Sequence, residues 1–162
     1  MELVMKLIAA GLDRQNKALS LLSRLLDEEF FLLRSSRPRE IAGLQFSIQE
    51  LLRQLTAERE GTRTRLLSIH PEAETVRDLL PSLSDKLRHL FETLLDRIDT
   101  NEKTCGSKAT RNSDVALALA EQSRSLLAFF HSQVAPRNRG VYASSGRWKE
   151  ECGGPSLFHG RL

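Results

Sequence analysis

The leucines between Leu19 and Leu33, in the stretch LSLLSRLLDEEFFLL, constrain what this chain can fold into more than any other feature. Leu19, Leu26 and Leu33 fall seven residues apart, and Leu22, Leu25 and Leu32 repeat beside them. A seven-residue apolar repeat keeps one stripe of a helix pressed against another helix. The stretch is too apolar to stay solvated and too charged to span a membrane. The register also extends backwards. Met5 and Leu12 continue the Leu19 column, Met1 and Ile8 lead to Leu22, and Val4, Gly11 and Ala18 lead to Leu25 and Leu32. The spacing predicts one helix over residues 1–34, roughly 50 Å long at the usual helical rise.

Ser35-Ser36-Arg37-Pro38 breaks that helix, with Ser36 as the expected N-cap of the next and Pro38 in its first turn. So short a connection makes the second helix, over 38–67, an antiparallel neighbour. Ile41, Ile48 and Leu55 form one of its columns, Leu44 and Leu51 the other, and Leu52 and Leu66 flank them. From Glu58 to Arg65 the stripe turns polar, which predicts a solvated or frayed far end, and Gly61 weakens the helix there by up to ~1 kcal/mol relative to Ala. His70-Pro71 makes the second break. A short helix is expected over 72–80, ended or kinked by Pro81, with Ser82 and Ser84 as N-caps and Asp85 suited to the next helix's first turn.

A long helix is expected over 84–134, with one ambiguous stretch. Asp99 to Asp114 reads as a loop if Gly106, Ser107 and Asn112-Ser113-Asp114 are taken as breakers, with Ser113 capping a fourth helix. It reads as helix if the phase is followed. Steps of about 3.6 residues from Leu87 reach Leu94, Ile98, Asn101, Cys105, Asn112, Ala116, Leu119, Leu126, Phe130 and Val134 without a change of phase. The continuous helix, bent near Gly106, is the better match, and the loop stays open.

Aromatic residues make up only 6% of the 162 residues, Leu is plentiful and Pro occurs five times. With the two hairpin-forming repeats, this predicts an all-α fold, an elongated antiparallel helical bundle or coiled-coil hairpin over 1–135. From Pro136 the chain is rich in Gly, Ser and Arg, so 136–162 is expected to be a flexible basic tail. Arg137, Arg139, Arg147, Lys149 and Arg161, against Glu150 and Glu151, supply the whole net charge of +3. A neutral body with a short basic tail argues against nucleic acid, which needs a basic face. Cys105 and Cys152 form no disulfide framework and suit a reducing compartment. Glu2 and Lys6 spoil a signal peptide, and no apolar run is long enough for membrane insertion, so a cytoplasmic protein is expected.

No pattern carries catalysis, a cofactor or a metal, and an enzyme is not expected. His70, His89, His131 and His159 lack the spacing of a helical ligand pair, and there is no Cys-x-x-Cys. Asp27-Glu28-Glu29 reads as a solvated helix face. Glu29, however, falls in the core column, as does Gln15, and such polar residues fix register or lie at a bundle edge. The glycines at 140, 146, 153 and 154 neither follow a strand nor open a helix, so they make no phosphate loop. Leu126, Leu127, Phe129, Phe130 and Val134 form the strongest apolar cluster outside the first hairpin. It is either core against the first helix or an open face for a partner helix. The tail still holds Val141, Tyr142, Trp148, Leu157 and Phe158, apolar side chains that suggest a segment which docks on something.

LLSRLLDEEFFLL, IQELLRQLTAERE, LLAFFHSQV and VYASSGRW occur in this order across nearly the whole chain, and together it resembles the flagellar export chaperones of the FlgN family. The resemblance implies a cytoplasmic chaperone of the flagellar type III secretion system. Such a chaperone binds hook-associated (hook–filament junction) proteins, prevents their premature assembly and delivers them to the export apparatus. It further implies that the C-terminal part binds the cargo. Leu119, Leu126, Phe130 and Val134 would do so on the last helix, and Tyr142 and Gly146 in the tail motif; Trp148 joins them as the tail's other aromatic anchor. A structural or self-associating coiled-coil adaptor is the alternative, and the oligomeric state is open.

Overall fold

The computed structural model describes residues 2–134 and, beyond them, the backbone of Val141–Tyr142 and Trp148–Lys149. The fold is all-α. Helix α1 spans Glu2–Arg34, α2 spans Pro38–Ile69 and α3 spans Asp85–Val134, with a 3-10 helix at Val76–Ser82 between α2 and α3. The two dipeptides, β1 (Val141–Tyr142) and β2 (Trp148–Lys149), pair antiparallel, with Val141 opposite Lys149 and Tyr142 opposite Trp148. The rest of the tail expected to be flexible lies outside the described residues. The chain divides into two compact units, Met1–Ala116 and Leu117–Leu162.

The first unit holds the core, and α1 is its axis. Its predicted columns are covered: Met5, Ile8, Leu12, Leu19, Leu22, Leu26 and Leu33 are all buried. α2 runs antiparallel to α1, as Arg14–Glu58 at one end and Glu29–Gln45 at the other require. α3 returns parallel to α1, so Asn16 meets Leu94 and Leu26 meets Asn112. Ile48, Leu55 and Leu66 from α2 and Phe91, Leu94, Leu95 and Ile98 from α3 close the core.

The turn between α1 and α2 differs from expectation. Ser36 is not an N-cap. It lies in the left-handed region at φ 52°, where it closes α1: Ser36 N–H donates to Leu33 O and Arg37 N–H to Leu32 O. This pair of bonds satisfies carbonyls at the end of α1. Arg37 takes the N-cap position of α2 without a side-chain cap, and Pro38 enters the first turn as expected.

The far end of α2 stays helical and is only partly solvated: Arg59, Glu60, Arg63 and Thr64 are exposed, but not the face toward α1. Thr62 and Leu66 are among its most buried residues. Thr62 Oγ1 accepts from Gln15 Nε2 at 3.1 Å and donates to Glu58 O. Glu58 pairs with Arg14 at 2.6 Å. Polar residues there pair across the helices, so polarity in the sequence did not mean exposure on that face. The short helix expected at 72–80 is instead the 3-10 helix, and Pro81 lies inside it. Asp78 Oδ2 holds its start by accepting from the Glu74 and Thr75 amides, and these bonds lower the Asp78 pKa. Arg88 secures its end by donating to the Leu80 and Leu83 carbonyls.

α3 is helical throughout Asp99–Asp114, so the loop reading is set aside. Two kinds of contact hold it to α1. Phe91, Leu94, Leu95 and Ile98 are buried and apolar, each contributing about 1.5–3 kcal/mol. Further along, the phase positions Asn101, Cys105 and Asn112, with Lys108 between the last two, make polar contacts. Asn101 Nδ2 donates to Asn16 Oδ1 at 3.2 Å, and the Cys105 thiol to Leu19 O at 3.3 Å. Lys108 reaches Ser23 and Asp27. Asn112 Nδ2 donates to Leu26 O at 2.7 Å and to Glu29 Oε2 at 2.8 Å. Such bonds are each worth a net ~0.5–1.5 kcal/mol, and an unsatisfied buried acceptor costs about 1–3. Asn112 Oδ1 is such an acceptor among the described residues. The apolar stretch therefore carries the larger share of the hold on α3, and the polar stretch the smaller.

Candidate partner-binding face

The C-terminal part of α3 belongs to the second unit. From Ala120 to Val134 every residue is exposed, and Leu119 is half-buried. Of the predicted contact residues, Leu126, Phe130 and Val134 are 51%, 59% and 50% exposed. At about 100° per residue, Leu119, Leu126, Phe130 and Val134 lie on one side of the helix. Leu127 and Phe129 flank them and are also exposed, widening the stripe beyond the roughly 100° typical of a core-facing helix. Leu117, exposed as well, lies off this stripe, and nothing in the spacing singled it out. The rings of Phe129 and Phe130 meet edge to face with centroids 6.0 Å apart. The side chains of the cluster are exposed. Isolated exposed leucines are ordinary, whereas contiguous large apolar side chains mark an interaction surface.

Backbone pairing sets Tyr142 opposite Trp148, and Gly146 lies outside the described residues. In the first unit, a second feature escaped sequence reasoning. An apolar groove of about 490 Å³ lies between α2 and α3, floored by Leu22 and Leu26 and walled by Ile48, Leu52, Ala109 and Ala116. The repeat of small residues Gly106, Ala109, Ser113 and Ala116 could have signalled it, since small side chains at helical spacing leave room beside a neighbour.

Nothing among the described residues assembles a catalytic centre. No group of three His, Cys, Asp or Glu could hold a metal ion. His70 caps the end of α2, and His89 and His131 lie far apart along α3; all three are exposed. The Cys105 thiol is buried, and desolvation raises its pKa, which leaves it a poor nucleophile. No described helix is long and apolar enough to cross a membrane.

These features describe an all-α protein with exposed apolar side chains on its last helix. The model of the FlgN protein family matches residues 1–150. The chain belongs to the FlgN family, a family of flagellar export chaperones and not of enzymes. No curated protein and no solved structure matches it at a significant level.

Proposed function

We propose that this chain is a cytoplasmic chaperone of the flagellar type III secretion system that holds hook-associated proteins before export. The observation that carries the reading is the open apolar face of Leu126, Phe130 and Val134 in a member of a flagellar chaperone family. An amphipathic helix of the cargo laid along that face would bury its own apolar stripe, which keeps it from assembling early. Burying each Leu or Phe contributes about 1.5–3 kcal/mol, less the cost of ordering the partner. No covalent chemistry or nucleotide is needed. Leu119 lies at the edge of the face, and Tyr142, Gly146 and Trp148 extend the binding part into the tail, where the cargo or the export apparatus would meet it.

The alternative, a self-associating coiled-coil adaptor, needs the α1 repeat free for another chain. Leu19, Leu22, Leu26 and Leu33 are instead covered within their own chain. The test is co-purification of hook-associated proteins from a flagellated cell. Leu126→Asp with Phe130→Asp should abolish capture while the circular dichroism of the chain stays helical. Full capture by that variant would refute the face, and no capture by the unaltered chain would refute the choice of cargo.

A further inference from the structure

The two stretches of α3 that face α1 differ in chemistry, and three separate features coincide on the second. Asn101, Lys108 and Asn112 make polar contacts there, and Cys105, the one core member of the stretch, adds a thiol hydrogen bond. Asn112 is 3% exposed, yet its Oδ1 accepts from no group among the described residues. Over the same turns Gly106, Ala109, Ser113 and Ala116 fail to close on α2 and leave the apolar groove above Leu22 and Leu26. Polar contacts are exchanged for water at little net loss once the segment separates, and a partly satisfied buried network gives way first. Phe91, Leu94, Leu95 and Ile98 cannot separate so cheaply, because water replaces none of their contacts.

We propose that Asn101–Ala116 is a latch, a segment that leaves α1 as a unit while Phe91–Ile98 stays docked, converting the groove into an open apolar face. Sub-global openings of this kind follow the boundary between strongly and weakly packed segments. The latch concerns residues other than those of the proposed cargo face and stands or falls apart from it. Off α1, the segment has Gly106 within it and no apolar cover, so its backbone hydrogen bonds do not persist.

Cys105 sits inside the segment as a built-in probe, buried against the Leu19 carbonyl. In the full chain carrying Cys152→Ser, the labelling rate of Cys105 by a small thiol reagent is measured across low denaturant. The opening constant it yields should exceed that of global unfolding by about tenfold or more, with a weaker dependence on denaturant. Hydrogen exchange of the unaltered chain gives a second reading. Amides of Asn101–Asn112 should share one opening at least about tenfold more frequent than that of Phe91–Ile98. Labelling no faster than global unfolding allows, or equal protection in the two stretches, overturns the latch.

Discussion

Gly11 sets how close α1 and α2 can lie. A Cβ there would stand 2.7 Å from Thr62 Oγ1 and 3.1 Å from Glu58 Oε1. Thr62 is not free to yield, because its hydroxyl accepts from Gln15 and donates to the Glu58 carbonyl. Gly→Ala inside a helix ordinarily stabilises, but here overpacking should win. Gly11→Ala is expected to lower unfolding free energy by about 1–3 kcal/mol, read from the urea midpoint. A rise would mean that Thr62 moves without loss. Ser36 has the opposite sign. Its left-handed backbone suits glycine, so Ser36→Gly should stabilise by roughly 1 kcal/mol; a neutral or destabilising change in thermal unfolding would show that the turn does not need that conformation. The sequence flagged neither residue correctly. Gly11 looked like one more member of a flanking column and Ser36 like a cap, because a close approach and a positive φ are made by tertiary contacts.

The elements themselves were largely written in the heptads. The continuity of α3 rested on phase, and the phase proved physical: Asn101, Cys105 and Asn112 occupy the seam although Asn is not a usual core residue. The same polarity misled at the far end of α2, where Thr62 is buried because Gln15 answers it. Sequence order reveals a polar residue but not the partner that satisfies it. Pro81, expected to end or kink the short helix, sits within the 3-10 helix, one residue before its end. Within α3, Gly106 is helical and a Cβ would meet nothing within 4 Å. Gly106→Ala should therefore stabilise by about 0.5–1 kcal/mol through backbone entropy alone. A thermal midpoint that falls would reveal a neighbour or a bend that requires glycine.

For the whole molecule, the acid response follows from its ion pairs. The hydrogen bond from Arg14 lowers the Glu58 pKa, and that from Lys108 lowers the Asp27 pKa. A carboxylate depressed in the folded state adds stability above its ordinary value and loses it as pH falls through the depressed one. Stability should stay level near neutrality and decline once pH drops below the ordinary values of 4.5 for Glu58 and 3.8 for Asp27. The loss should be modest because these pairs are partly exposed. A urea midpoint unchanged down to pH 3 would contradict it, and Arg14→Met should remove the Glu58 share. The face on α3 was legible as an apolar cluster but not as exposed. Its exposure depends on what else the chain brings near it, which periodicity does not encode. The groove beside Gly106 left a trace only in the small residues Gly106, Ala109, Ser113 and Ala116.

The buried polar residues of α1 also decide whom it recognises. Asn16 needs Asn101, Gln15 needs Thr62, and Glu29 needs both Gln45 and Asn112. A second copy of α1 in parallel register would answer Asn16 with another amide but would set Glu29 against Glu29, a carboxylate with no donor. Slipping α3 by one heptad would leave a carboxylate and several amides buried without company. Glu29, Gln15 and Asn16 thus tie α1 to the α2 and α3 of its own chain, and the seam reads its partners by their polar groups as well as by their leucines.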